Sequence, residues 1–262
     1  MEMLLAIPFG FAIGLVVGTV GGGGAILALP VLVYVLGEGV SPASTASLIV
    51  VALAASFGAG SQARDGRLCW TVALTFSVPA AVGAYVGTLA NEQVEPRTLI
   101  LSFVPVMLLA ALLTYRRGDD VASAFDAGRD ECPHPLSLRS AGGGFAVGAM
   151  TGFFGVGGGF LIVPALTLLL GLSMRRAIAT SLAIIALTGI AALSSHLAAG
   201  SEPNWALTGL LAAAAAVGAV TGSALGRRAD SRTLAHAFGI LVAIVAMFLL
   251  IDVLVLGGPP VG

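Results

Sequence analysis

A glycine-rich sequence occurs twice in this chain, and the second copy follows the first at a constant offset of 134 residues. Residues 10–36 and 144–170 align without a gap, and 12 of the 27 aligned positions are identical, six of them glycines. Each copy places a glycine cluster inside an apolar run, at Gly21–Gly24 and at Gly155–Gly159. Apolar segments that glycines interrupt at equivalent places in two halves are typical of transporter binding sites.

The composition requires a membrane environment for most of the chain. Hydrophobic residues make up 58% of the 262 residues, charged residues only 10%, and the mean hydropathy is +1.03. A soluble domain of this length cannot bury so much apolar surface, which predicts an all-α polytopic membrane protein. The net charge of −1, without a basic stripe, gives no indication of a nucleic-acid partner.

The apolar stretches divide into two classes by length. Stretches of 18–24 residues, right for one crossing each, lie at 42–62, 69–89, 98–115, 176–197, 205–225 and 233–256. The other two, 3–36 and 140–171, would form helices of roughly 50 Å, against a bilayer core of about 30 Å. Because glycine costs about 1 kcal/mol in a helix interior, the clusters predict that each long stretch is a hairpin of two half-length helices.

The arginines test the hairpin prediction, because cytoplasmic loops carry the excess of positive charge. All 12 basic residues are arginine. If each long stretch crosses once, they divide six and six between the two sides of the membrane. If each returns to its own side, they divide eleven to one, with only Arg97 outside. The hairpin arrangement therefore predicts a multi-pass plasma-membrane protein with both termini outside.

Each half then contains one hairpin and three crossings, so the two halves insert in opposite orientations. The predicted organisation is a first membrane repeat at 1–115, a solvated cytoplasmic linker at 116–139 and a second membrane repeat at 140–262. The duplication continues beyond the hairpins, since Gly83 and Gly87 recur as Gly218 and Gly222. Two inverted repeats are the architecture of carriers that work by alternating access.

The glycines of each copy are predicted to have two roles. Those spaced by four residues are typical of close helix packing, and they are Gly10, Gly14, Gly18, Gly144, Gly148 and Gly152. The clusters contain more glycines than packing requires, which favours tips that line a binding site. The half-helices that begin near Ala25 and Phe160 point their positive ends at these tips, where N–H groups bind anions. The predicted tip ligands are Gly21, Gly22, Gly23, Gly24, Gly155, Gly157, Gly158 and Gly159.

Neutral side chains supply the remaining candidates. Hydroxyls near the start of the stretch that follows each hairpin are further predicted anion ligands, namely Thr45, Ser47, Thr180 and Ser181. The same hydroxyls can instead bond back to their own helix, and both roles stay open. Gln62 and His196 occupy equivalent positions and are candidates for a gate, because histidine titrates near neutral pH.

Several kinds of chemistry find no support in the sequence. No Asp, Glu or Arg falls in the middle of a predicted crossing, so the buried carboxylate of a proton-driven pump is missing. No metal site, cofactor or catalytic set is predicted, and an intramembrane enzyme is disfavoured because Ser195 and His196 point to different helix faces. Cys69 and Cys132 both fall on the predicted cytoplasmic side, so a disulfide between them is not expected.

The duplicated pattern G-x-x-x-G-x-x-G-x-G-G-G…P-x-L resembles that of the TauE/SafE sulfite-exporter family of membrane permeases. The first copy departs from it slightly, with Ala25 where the second has Gly159 and Gly22 where the second has Val156. The resemblance implies transport, generally export, of a small sulfur-containing or organic anion such as sulfite or a sulfonate. The expected partners are this anion and the lipid bilayer, and a homo-oligomer is compatible with the sequence. An anion channel or an importer is the alternative.

Overall fold

The structure is a computed structural model that describes residues 2–91, 96–125, 132, 138–154, 159–198 and 203–251. Within these ranges the chain forms ten α-helices and no strand. The helices are α1 (Glu2–Val20), α2 (Ala25–Pro30), α3 (Val40–Ala63), α4 (Trp70–Asn91), α5 (Pro96–Phe125), α6 (Leu138–Phe154), α7 (Gly159–Leu169), α8 (Met174–Ala198), α9 (Trp205–Gly226) and α10 (Ser231–Ile251). A π-helical segment, Val31–Val35, extends α2.

The first long apolar stretch is broken at its glycine cluster, as the sequence predicts. α1 ends at Val20, Gly21 adopts a left-handed backbone with a φ of +77°, and Gly22–Gly24 form one 3₁₀ turn. Glycine reaches this φ at little cost because it has no Cβ. A Cβ on Gly24 would lie 2.5 Å from the backbone nitrogen of Val17, so the tip folds back against the end of α1.

The second long stretch is divided in the same place. α6 ends at Phe154 and α7 begins at Gly159, while the predicted tip ligands Gly155, Gly157 and Gly158 lie outside the described residues. The two broken regions touch, because a Cβ on Gly159 would lie 2.9 Å from the carbonyl oxygen of Gly22. The glycine clusters therefore bring the two halves of the chain into backbone contact.

The glycine stripes pack α1 and α6 against the other half of the chain. The contacts pair Gly10, Gly14 and Gly18 of α1 with Leu211, Ala215 and Ala219 of α9, and Gly144, Gly148 and Gly152 of α6 with Phe76, Ala80 and Ala84 of α4. A Cβ on Gly14 would lie 2.7 Å from the Cα of Ala215, so a larger residue does not fit. The packing role predicted for these stripes is confirmed. The paired helices run parallel, since their residue numbers rise together.

The partner helices contribute glycines of their own to these contacts. Gly83 and Gly87 of α4 meet the backbone of α6, and Gly218 and Gly222 of α9 meet the backbone of α1 in the same way. Both helix pairs are thus built from small residues on both sides, which lets the backbones approach closely. The duplicated sequence produces a duplicated contact.

The central helices α3 and α8, which the duplication makes equivalent, run antiparallel. A Cβ on Gly58, near the end of α3, would lie 3.2 Å from Leu182 in the first half of α8. Ala52, earlier in α3, contacts Gly189, later in α8. The equivalent pair α5 and α10 also runs antiparallel, since Tyr115 late in the apolar part of α5 stacks on His236 near the start of α10.

Five of the helices in the described ranges are long and apolar enough to cross a membrane, and they are Pro42–Ala63, Trp70–Leu89, Met174–Ser194, Trp205–Gly226 and Ser231–Ile251. The sixth predicted crossing, 98–115, corresponds to the apolar part Leu101–Arg116 of α5. That helix continues to Phe125, so residue 115 lies inside it and not at its end. Large apolar side chains such as Val78, Tyr85 and Ile244 are more than 60% exposed, as expected of surfaces that face lipid.

Replacing Gly14 with alanine is expected to lower the free energy of unfolding by about 1–3 kcal/mol, because the added methyl group overpacks the α1–α9 contact. Thermal melting of the purified protein in detergent measures the change. The matched control is Gly209→Ala in α9, where no atom lies within 4 Å of the added Cβ. A Gly14→Ala protein that melts with the control would contradict the packing role.

Candidate functional site

Ser181 lies directly against the first glycine tip. Its Oγ is 2.8 Å from the position that a Cβ on Gly21 would take, and the residue is fully buried. The hydroxyl donates a hydrogen bond to the carbonyl oxygen of Ile178 at 2.8 Å. Val163 of α7 approaches the same position on Gly21 to 3.2 Å. The structure therefore brings together the first tip, the second half-helix of the other hairpin and one predicted hydroxyl ligand.

The described tip glycines form a closed contact. Gly21, Gly22, Gly24 and Gly159 are all buried. The N–H of Gly21 donates to the carbonyl oxygen of Val17 at 2.8 Å, which continues the hydrogen-bonding pattern of α1 for one more residue. Any side chain on Gly22 would overlap the backbone of Gly159. The absence of side chains in the first cluster is thus needed for the packing seen in the structure.

The other predicted hydroxyl ligands have different surroundings. Thr180 is fully buried, and its Oγ1 accepts a hydrogen bond from the backbone N–H of Cys69 at 3.2 Å. Ser47 donates to the carbonyl oxygen of Ser44 at 2.7 Å, which is the intrahelical alternative. Thr45 is fully buried within α3. Ser181 is thus the predicted hydroxyl ligand that the structure places against Gly21.

Gln62, one of the two gate candidates, lines a small cavity close to this tip. The residue is only 5% exposed, although it is polar and lies one residue before the end of α3. The cavity has a volume of about 10 Å³ and is lined by Thr19, Gln62, Arg67, Arg175, Ile178, Gly226 and Leu234. His196, the other candidate, lies in α8, but its side chain is outside the described part of the structure. A gating role for either residue stays a prediction.

The arginines that line this cavity were not among the predicted site residues. In the sequence, Arg67 and Arg175 contribute only to the predicted orientation of the protein in the membrane. The sequence feature that points to a binding role for Arg175 is its position, six residues before Ser181 and thus close to the predicted hydroxyl ligands. Helix packing then brings the end of α3 to the start of α8, which no pattern in the sequence specifies.

Cys69 and Cys132 form a disulfide, so the expectation that they would not is wrong. Their Cα atoms are 5.7 Å apart, although 63 residues separate them in the sequence. Nη1 of Arg176 lies 3.7 Å from the sulfur of Cys69 and 3.4 Å from that of Cys132. Folding brings the residue before α4, Cys132 and the start of α8 together, which the predicted compartment of the two cysteines gives no means to foresee. In the cytosol, disulfides are usually transient or redox-sensing.

Residues 6–249 match the family described as sulfite exporter TauE/SafE. The chain belongs to this family. Because this is a family of transporters, this TauE/SafE protein is a transporter and not an enzyme, and it is a multi-pass membrane protein. The family resemblance noted from the duplicated glycine motif is confirmed.

Relatives of this TauE/SafE protein come from distant organisms, and each is described as a "probable membrane transporter protein". A protein of Xylella fastidiosa is 30% identical over 257 residues, which is 95% of each chain. YunE of Bacillus subtilis is 25% identical over 96% of this chain and 98% of its own. A protein of Methanocaldococcus jannaschii is 26% identical over 77% and 76%. No solved structure gives a significant match.

The disulfide of this TauE/SafE protein is expected to block both of its thiols. When membranes are solubilised in a denaturing detergent at acidic pH and then treated with a maleimide polymer, the chain should take up no label before reduction and two labels after it. Cys132→Ser is the control, since it should take up one label with or without reductant. Two labels without reductant, in protein from cells grown under oxidising conditions, would contradict the bond.

Proposed function

We propose that this TauE/SafE protein is a secondary transporter that exports sulfite or a related sulfonate by alternating access. Membership of the family supports transport, and the family's description supports a sulfur oxyanion as the substrate. The observation that carries the proposal is the contact between the two glycine-broken regions, where Gly22 meets Gly159 beside the hydroxyl of Ser181. A central site made by broken helices from both halves is a recurring feature of carriers.

The directions of the helices support the inverted-repeat architecture that we propose with it. α3 and α8 are equivalent in the duplicated sequence, and they run antiparallel, as do α5 and α10. α1 lies parallel to α9, and its equivalent α6 lies parallel to α4, which is the equivalent of α9. A two-fold axis in the membrane plane relates repeats in this manner. Such a pair of repeats can exchange conformations, and this exchange opens the site to alternate sides.

The site proposed for the anion comprises the glycine tips together with the hydroxyl of Ser181. α7 begins at Gly159, so the positive end of an 11-residue helix dipole points at the contact between the tips. Backbone N–H groups at a helix N-terminus favour oxyanions. Ser181 now donates to its own helix, and it can turn that proton toward an oxyanion when the tips separate.

The membrane potential is sufficient to drive export of an anion. Moving one negative charge out of a negative interior gains about 2.3 kcal/mol per 100 mV. The described acids all lie outside the apolar parts of the helices, and they are Glu2, Glu38, Asp65, Asp119, Asp120 and Asp230. An export mechanism that uses the substrate's own charge needs no buried carboxylate as a proton relay.

Proteoliposomes loaded with sulfite test this function. We expect the purified protein to release sulfite in a saturable manner, faster when a potassium–valinomycin gradient makes the interior negative and slower when it makes the interior positive. Flux that never saturates would instead indicate the anion channel, and strict uptake in cells would indicate the importer. Flux that ignores voltage, follows a pH gradient and is lost in His196→Gln would show that a histidine carries a proton.

A pair of serine substitutions in α8 tests whether the substrate binds near the tip. Ser181→Ala should weaken the apparent affinity for sulfite about two- to tenfold, the effect of one hydrogen bond. Ser194→Ala is the matched control, because this exposed hydroxyl only bonds to Ala191 of its own helix. Equal affinities for the two variants would remove Ser181 from the site while leaving the transport proposal intact.

The orientation in the membrane is proposed from the arginine distribution, with both termini outside and residues 116–139 in the cytoplasm. Cys69→Ser leaves Cys132, which is exposed, as the single thiol. A membrane-impermeant maleimide should then label the protein in inside-out vesicles and not in intact cells. Labelling in intact cells and not in inside-out vesicles would show that the protein has the opposite orientation.

A further inference from the structure

We propose that the cavity at the end of α3 is an anion-binding site, in which Arg67, Arg175 and Gln62 hold a small oxyanion before it reaches the glycine tips. The inference rests on the proposed function in naming an oxyanion as the ligand. It adds a charged site to the neutral one at the tips, and it assigns a binding role to two arginines that the sequence links only to the orientation in the membrane.

Arg175 carries a buried hydrogen-bond donor without an acceptor. Its Nη2 donates to the carbonyl oxygen of Ala229 at 2.8 Å, which holds the guanidinium between the start of α8 and the loop before α10. Its Nε is buried and has no hydrogen-bond partner among the residues that the structure describes. Leaving a donor of a charged group both dehydrated and unpaired is costly, and native proteins rarely tolerate it unless a ligand or water completes the bond.

Gln62 presents a second unused polar group to the same cavity. The residue is 95% buried, as its exposed fraction is 5%, and its backbone carbonyl accepts a hydrogen bond from the N–H of Asp65. Its side-chain amide has no hydrogen bond to any residue in the described ranges. A primary amide can donate two hydrogen bonds, so Gln62 adds possible donors to a cavity that Arg67 and Arg175 also line.

The charge of the cavity favours an anion over water. Two of its seven lining residues are arginines, and none is acidic. The acid nearest in the sequence, Asp65, pairs with Nη1 of Arg227 at 3.3 Å. Guanidinium groups bind planar or pyramidal oxyanions through several parallel hydrogen bonds, which makes them the preferred ligands for such groups.

The cavity and the first glycine tip share a neighbouring residue, Ile178. Ile178 lines the cavity, and the Cα of the same residue is 3.4 Å from the position that a Cβ on Gly21 would take. The carbonyl oxygen of Ile178 accepts the hydrogen bond of Ser181. A volume of about 10 Å³ holds one water at most, so the structure has the site in a closed form. An anion enters when the ends of α1, α3 and α8 separate.

Binding of sodium sulfite to the purified protein in detergent, followed by calorimetry, tests the inference. Arg175→Gln should weaken the affinity about tenfold or more, because it removes a charged donor. Gln62→Met, which conserves the side-chain volume and removes the amide, should weaken it several-fold. The control is Arg228→Gln, because Arg228 is exposed in the loop between α9 and α10 that also contains Ala229. This variant should bind sulfite as the wild type does.

A purely structural role for Arg175 makes a different prediction. If the guanidinium only ties α8 to Ala229, Arg175→Gln lowers the melting temperature and leaves the affinity of the folded protein unchanged. Should Arg175→Gln fail to fold, Gln62→Met decides the question by itself. Wild-type affinity in Gln62→Met, or in a folded Arg175→Gln, would show that the cavity holds only water and would overturn the inference.

The binding measurement is independent of transport. Wild-type sulfite efflux together with unchanged affinities in both variants leaves the proposed function standing and removes this site. If the wild-type protein binds no sulfite, the proposed substrate is wrong, and titration with sulfate and sulfoacetate follows. Binding of either anion that depends on Arg175 and Gln62 keeps the site, whereas no binding of any of the three anions overturns it.

Discussion

The fold depends on close backbone packing between glycine stripes in different halves of the chain. Gly14 of α1 lies against Ala215 of α9, and Gly148 of α6 lies against Ala80 of α4, so neither hairpin is held chiefly by its own repeat. In a membrane, apolar side chains gain little by leaving lipid, and close van der Waals contact between small residues is what associates helices. The stripes therefore fix where the broken regions lie. The tips meet because both stripes are in close contact with their partner helices at the same time.

This exchange of hairpins bears on the proposed transport cycle. Because α1 packs on α9 and α6 packs on α4, each moving unit of the proposed cycle would combine helices from both halves of the chain. The units touch where Gly22 meets Gly159, beside Ser181. Since the described part of this contact contains neither acids nor bases, a small rearrangement can expose polar backbone without burying a charge. The arginines and Gln62 stand at one end of this path, where the helices meet the cytoplasmic side in the proposed orientation.

The disulfide adds a covalent link at that same end. Cys69 precedes α4, its N–H is bonded to Thr180, and Arg176 approaches both sulfurs. The bond thus joins Cys132 to the residue before α4, and Thr180 and Arg176 connect that link to α8 through non-covalent contacts. Thr180 binds the N–H of Cys69, whereas its neighbour Ser181 lies against Gly21. From the sequence, the two residues had the same predicted role.

The sequence by itself determined the class of protein, the family and the places where the helices break. Composition demands a membrane whatever the fold, and four consecutive glycines weaken a helix by about 1 kcal/mol each through a local effect. The stripe spacing likewise predicted close packing without naming the partner. Tertiary structure alone decided which helices the stripes meet, that Ser181 and not Thr180 faces the tip, that Cys69 reaches Cys132, and that Arg175 lies beside Gln62. Each of these contacts joins residues that are far apart in the chain. They come close in space through helix packing, which no local sequence pattern encodes.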